Sequence, residues 1–270
     1  MQTIDITTWK DFKAELEQLY EETDKLRVER APRLVSEPVF RGQTDANWTL
    51  FTSLEREVGS NISMLDYYRR ILYPSLRMLK GVMSFDLPEC PELNLSVRDL
   101  DVHFPLSDKL AMLRHHGFPS PLLDWTLSPL VAAYFAFSPV PSGGTQKVAI
   151  FCYREYFGEG KGYTGGKAHI KSLGTWAPVH GRHVRQQSQY TVAVRDQSNG
   201  GVEFCSHEDA ITERPFPWLR FDEITKFTLP VALRGEVLRD LRRMNITEYS
   251  LFDTTDALVR TVARFAISKP

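Results

Sequence analysis

Cysteine is scarce in this chain of 270 residues, and Cys90, Cys152 and Cys205 are odd in number, widely spaced and without a C-x-x-C pair. That pattern argues against both a disulfide framework and a zinc ribbon. Charge of one sign is also missing. The 33 Lys and Arg nearly balance 34 Asp and Glu, leaving a net charge of -1 and a pI near 6.7. No global field then attracts polyanions, which excludes a histone-like or RNA-coating role. Long hydrophobic runs are absent as well: the longest, Leu130 to Phe137, is far below the ~18 to 20 residues that cross a bilayer. The opening MQTIDITTWKDF has no basic start followed by an apolar stretch, so no secretory signal is expected. These absences predict a soluble protein of a reducing cytoplasm. Apolar side chains make up 42% of the chain, enough for one large core or two small ones.

Trp9, Phe12, Leu16, Leu19 and Leu26 recur at helical period behind Thr8 and Asp11, which predicts an amphipathic helix over 8–26. EPVFRGQ reads as a short strand over 37–43, with Arg41 anomalous on it. A second helix is predicted over 61–80. A third, capped by Ser107, should end at His116, where Gly117 supplies a left-handed residue and Pro119 forbids continuation. Leu122 to Thr126 reads as a strand. Ser128 and Pro129 are an N-cap and N1 pair for a buried helix, VAAYFAF. Strands follow over 147–153, 190–195 and 223–231, and closing helices over 233–244 and 256–265. Helices fall mainly in the first half and strands in the second, without regular βαβ alternation. The expected class is a single α+β domain with a mixed or antiparallel sheet. Residues 1–36 are expected as an N-terminal helical segment and 37–270 as the domain proper.

Several chemical signatures are missing. In GEGKGYTGGK, 158–167, Gly160 and Gly165 have phosphate-loop spacing, but Gly166 stands where Lys is required. Neither H-E-x-x-H nor G-x-S-x-G occurs. His180 and His183 have no nearby Cys or carboxylate to complete a metal set, so no metal is expected. Charge is nevertheless segregated: seven Lys or Arg against two acids from Arg154 to Arg195, then seven acids against two Arg from Asp196 to Glu223. The basic segment, with Tyr163, Trp176 and Tyr190, could face phosphates or pair with the acidic one.

Three patches combine polarity with structured surroundings: Phe40-Arg41-Gly42-Gln43; His115-His116-Gly117 leading to Leu123-Asp124-Trp125-Thr126 and Ser128-Pro129; and Arg185-Gln186-Gln187-Ser188-Gln189-Tyr190. A carboxylate at Asp124 between leucines and a tryptophan needs a cation or several donors. Arg41, with its planar fork, is the expected partner, in a ligand site or in a purely structural ion pair. The blocks VFRGQTDANWTL, LRHHGFPSPLLDWTLSPLVAAYFAF, RQQSQYTVA and MNITEYSLFDTTDAL resemble, in order, the FRG domain family, named for its Phe-Arg-Gly triplet. The resemblance spans about residues 37 to 258. It departs at Arg114-His115, where the family has Gln-His, at Ser120-Pro121, and at Ser188, where the family has Gly. It implies a bacterial domain found in settings of defence or toxicity.

A second, weaker resemblance is to ADP-ribosyltransferases of the Arg, Ser-Thr-Ser, Glu type, with Asp124-Trp125-Thr126 in the Ser-Thr-Ser place and Gln186 near the place of the Glu. It implies an ADP-ribosyltransferase-like fold and NAD as substrate. Cleaving the nicotinamide–ribose bond creates oxocarbenium character that a carboxylate stabilises. On that reading Asp124, His115 and Gln186 are the catalytic candidates, and Arg41, Gln43, Trp125, Thr126, Ser128 and Arg185 bind ligand. Two other readings stand beside it. One is a binder or nuclease directed at nucleic acid, using Arg114, His115 as acid or base, and the basic segment 161–185. The other is a non-catalytic module that engages a protein target.

Overall fold

The computed structural model describes residues 1–30, 35–82, 97, 100, 104–140, 143–157, 168–173, 181–198, 200–212 and 221–267. Its strands are β1 (Gln2–Asp5), β2 (Val39–Gln43), β3 (Ile62–Ser63), β4 (Leu123–Thr126), β5 (Lys147–Arg154), β6 (His169–Ser172), β7 (Ser188–Asp196), β8 (Val202–Phe204) and β9 (Glu223–Pro230). They form one mixed sheet in the order β1-β9-β5-β2-β4-β7-β8-β3, with β6 also on β7. Only the β1–β9 pair is parallel among the described pairs. The helices are α1 (Trp9–Arg30), α2 (Ser53–Val58), α3 (Met64–Asp66), α4 (Tyr73–Leu79), α5 (Ser107–Arg114), α6 (Pro129–Phe137), α7 (Gly181–Gln186), α8 (His207–Thr212), α9 (Arg234–Arg243), α10 (Glu248–Phe252) and α11 (Thr255–Ile267). A π-helical stretch, Tyr67–Leu72, joins α3 to α4. The class is α+β. No helix among the described residues is long and apolar enough to cross a membrane.

The cores follow from strand alternation. Val148, Ile150 and Cys152 of β5 face α1, α6 and α9, while Ala149, Phe151 and Tyr153 point to the other side with Leu123 and Trp125. β5 is therefore buried on both faces. Tyr190, Val192 and Val194 of β7 belong to a third cluster, under the segment from α3 to α5. Two groups of helices thus cover different parts of one face, and the middle strands β2, β4 and β7 lie beneath the seam between them.

Local signals explain several boundaries. Thr8 and Asp11 bond reciprocally at the start of α1. Ser128 accepts from the Val131 amide, and Pro129 opens α6. Gly117 is left-handed after α5, as expected. One expectation is corrected. Ser107 does not cap α5: it is already helical, and Leu106 occupies the cap position with a φ of 55°. The segment before β2 contains β1, which joins the sheet through β9, and its helix α1 packs in the same core as α6. The glycine-rich stretch 158–167, Trp176 and His180 lie outside the described residues.

Gly42 allows a close approach of helix and strand. A Cβ there would lie 1.9 Å from the Ala132 carbonyl oxygen and 2.7 Å from the Ala136 amide nitrogen, so α6 rests directly on the β2 backbone.

Candidate functional site

Antiparallel register places Asp124 opposite Tyr190 and Thr126 opposite Ser188, on one face of β4 and β7. Leu123 and Trp125 point the other way, into the far core. These floor residues open into a cleft of about 580 Å³ at the helix seam, lined also by Phe40, Arg41, Arg56, Arg114, His115, Phe118, Phe135 and Gln186.

Asp124 is the electrostatic centre. Arg114, from the last turn of α5, grips it through two parallel donors: Nε to Oδ1, and Nη2 to Oδ2 at 2.7 Å. Its Nη1 donates to Ser53 Oγ at 2.8 Å, so all three guanidinium nitrogens are engaged. The Arg114 side chain is 10% exposed, whereas 43% of the Asp124 side chain remains open. Burial pushes the Asp124 carboxyl up, but the Arg114 charge and hydrogen bonds outweigh it and hold the group below its usual range. Burial likewise opposes the Arg114 charge, and Asp124 more than restores it.

The structure brings Arg41 and Asp124 together in a different way from the expected fork. Arg41 Nη1 donates to the backbone carbonyl of Asp124 at 2.9 Å and lies 3.6 Å from Oδ2. The β2–β4 ladder consists of the single pair Phe40 and Thr126, so a cation serves the Asp124 carbonyl where ladder bonding stops. Arg41 Nε is buried without a partner. Burial, followed by the charges of Arg114 and Arg56, lowers the Arg41 pKa to about 10, against the pull of Asp124. Arg41 remains charged at neutral pH. Below the sheet its charge, after burial, helps push His207 down to about 3.

Gln186 reaches the cleft, but from the end of α7 and not from a strand. Its carbonyl accepts from Thr126 Oγ1 at 2.6 Å, and its Nε2 donates to the Leu251 carbonyl at 3.2 Å. Gln187 follows as a left-handed residue with a φ of 49°. His115 caps the C-terminal end of α5 and lines the cleft beside Tyr190.

Four further candidates have their side chains elsewhere. Gln43 is buried and donates to the Thr49 carbonyl at 3.1 Å. The Trp125 indole lies on the far face, with Nε1 donating to Thr191 Oγ1 at 2.7 Å. Ser128 caps α6. Arg185 pairs with Asp253 at 2.6 Å. Alternation accounts for Trp125, which lies between the cleft-facing Asp124 and Thr126 and must face away. Gln43 shares the Arg41 side of β2, where the Thr49 carbonyl holds its amide. The sequence reading missed Ser53, Arg56, Phe118 and Phe135 as lining residues. Arg114 was read as a departure from the family's Gln-His pair and as a nucleic-acid contact, not as the partner of Asp124.

An α+β protein with an arginine-held carboxylate in a cleft at the seam of a mixed sheet is the class that fold and site define. Residues 36–142 match the family model of the FRG domain, and the chain carries that domain. No curated protein and no solved structure matches the chain. The matched stretch supplies Arg41, Arg114, His115 and Asp124, whereas Gln186, Ser188 and Tyr190 come from the chain beyond it.

Proposed function

We propose that the cleft receives NAD or a related phosphate-bearing nucleotide, and that the protein acts on it as an ADP-ribosyltransferase-like or NAD glycohydrolase-like enzyme of bacterial defence or toxin type. One observation carries this reading: Arg41, Arg114, Asp124, His115 and Gln186 share one cleft of nucleotide size with Phe40, Phe118 and Phe135. Arg41 and Arg56 supply positive charge for phosphates. The aromatic rings offer faces to a base or to nicotinamide. Asp124 stays ionised, and a carboxylate has about four acceptor sites. Arg114 takes two of them, which leaves acceptor capacity on the open side for a ribose carrying oxocarbenium character.

The reading directed at nucleic acid is less well supported. Arg182 lies over the Phe252 ring at 5.6 Å and Arg185 pairs with Asp253, so both cations are engaged next to α10. The deciding experiment is calorimetric titration of the purified chain with NAD, paired with chromatographic detection of released nicotinamide. Saturable binding with nicotinamide release supports the enzyme reading. Neither binding nor consumption of NAD overturns it, and parallel titration with single- and double-stranded nucleic acid then tests the alternative.

A further inference from the structure

His115, His183 and Tyr190 approach one point from three elements: the end of α5, helix α7 and strand β7. The Nε2 atoms of the two histidines are in direct contact. The Tyr190 hydroxyl lies 2.9 Å from the first and 3.2 Å from the second. The rings do not stack, with centroids 4.2 Å apart and planes inclined by 57°. His183 and Tyr190 are both buried, and His115 and Tyr190 line the cleft.

A neutral imidazole has one N–H and one lone pair, so two Nε2 atoms that meet head-on need a positive particle between them. With both Nδ1 atoms protonated, two lone pairs and a phenolic oxygen face one point. Zinc takes imidazole nitrogen at ~2.0 to 2.1 Å, which sets the edge between donors of a tetrahedral site at about 3.3 Å. The two edges from Tyr190 are already near that value, and only the contact between the histidines has to open.

We propose that His115, His183 and Tyr190 bind a first-row divalent metal ion of the zinc class, with its fourth position open to the cleft. Three protein ligands with an open position are the pattern of a reactive site, not a structural one. Among the described residues no group of three His, Cys, Asp or Glu converges, and here the third donor is a phenol. Asp124 faces Tyr190 across the strand pair, which places a carboxylate next to the ion. The histidine that meets His183, His115, comes from the C-terminal end of α5, far from the segment that holds His183, which is why local spacing in the sequence gave no metal set. This site does not depend on which ligand the cleft receives.

Titration of the chelator-treated full chain with Co²⁺ tests it. The expected result is saturation at a single equivalent, the ligand-field absorption of four-coordinate cobalt, displacement by Zn²⁺ and a higher Tm with the ion. Tyr190→Phe keeps the ring and removes only the donor oxygen, so it serves where His183→Ala fails to fold. Each should weaken binding by at least ~10-fold. Two results would overturn the proposal: absence of stoichiometric Co²⁺ binding, or binding that survives in folded protein carrying both His115→Ala and His183→Ala. The imidazoles would then share only a proton.

Discussion

Arg114 and Asp124, ten residues apart in sequence, meet as a bidentate ion pair that ties the last turn of α5 to the middle of β4. Arg41 approaches the same aspartate mainly through its backbone. The two arginines therefore differ in what their loss leaves behind.

Arg114→Ala strips the carboxylate of both strong donors and leaves Ser53 without its cation, and removing one partner of a buried pair costs ~3 to 5 kcal/mol. Asp124 is partly open to the cleft, so the lower end is expected. Arg41→Ala leaves the carboxylate paired and removes one charged hydrogen bond, worth about 1.5 to 3 kcal/mol. Urea unfolding of both variants should rank Arg114→Ala as the more damaging. The reverse order would mean that Arg41 is the main counter-charge.

Asp124→Asn separates structure from chemistry. It keeps the shape and half the acceptor capacity but removes the charge, so under the proposed NAD chemistry nicotinamide release should fall by about 10²-fold or more while NAD affinity changes little. If binding and turnover fall together, in step with Tm, the aspartate is purely structural.

The same carboxylate has a pH signature. Its folded pKa is held below the ordinary 3.8, so its stabilisation is fully present above that value and is lost as pH falls through the lower folded value. The difference in Tm between wild type and Asp124→Asn should be constant from neutral pH down to about 5 and shrink below about 4. A difference that holds steady down to the acid unfolding of both proteins would count against a depressed carboxylate.

Gly42→Ala forces a methyl group into the Ala132 carbonyl oxygen and the Ala136 amide nitrogen, both backbone atoms that no rotamer change can move. Overpacking costs ~1 to 3 kcal/mol where neighbours adjust, and here β2 and α6 must separate as units, so the loss should reach at least the upper end. Thermal unfolding measures it. A Tm within a degree or so of wild type would show that the contact between helix and strand is looser than the geometry implies.

The sequence by itself determined the elements whose signals are local. Capping residues set the starts of α1 and α6, Gly117 ended α5, and apolar runs marked β5, β7 and β9. It also singled out Arg41 and Asp124, because a charge on an apolar strand is conspicuous without any knowledge of its partner. Only the tertiary structure decided which groups meet. β1 has too short a pattern to be read alone and exists through its pairing with β9. Gln186 stands just ahead of the strand that begins at Ser188, yet it ends a short helix held against α10. Trp125 lies between the cleft-facing Asp124 and Thr126 and turns away, since adjacent side chains on a strand cannot share a face, whereas Gln43 is held by the Thr49 carbonyl. The Arg114 grip on Asp124 and the meeting of His115 with His183 depend on helix packing over the sheet. Such contacts bring together residues distant in the chain, and no periodicity within a single segment records them.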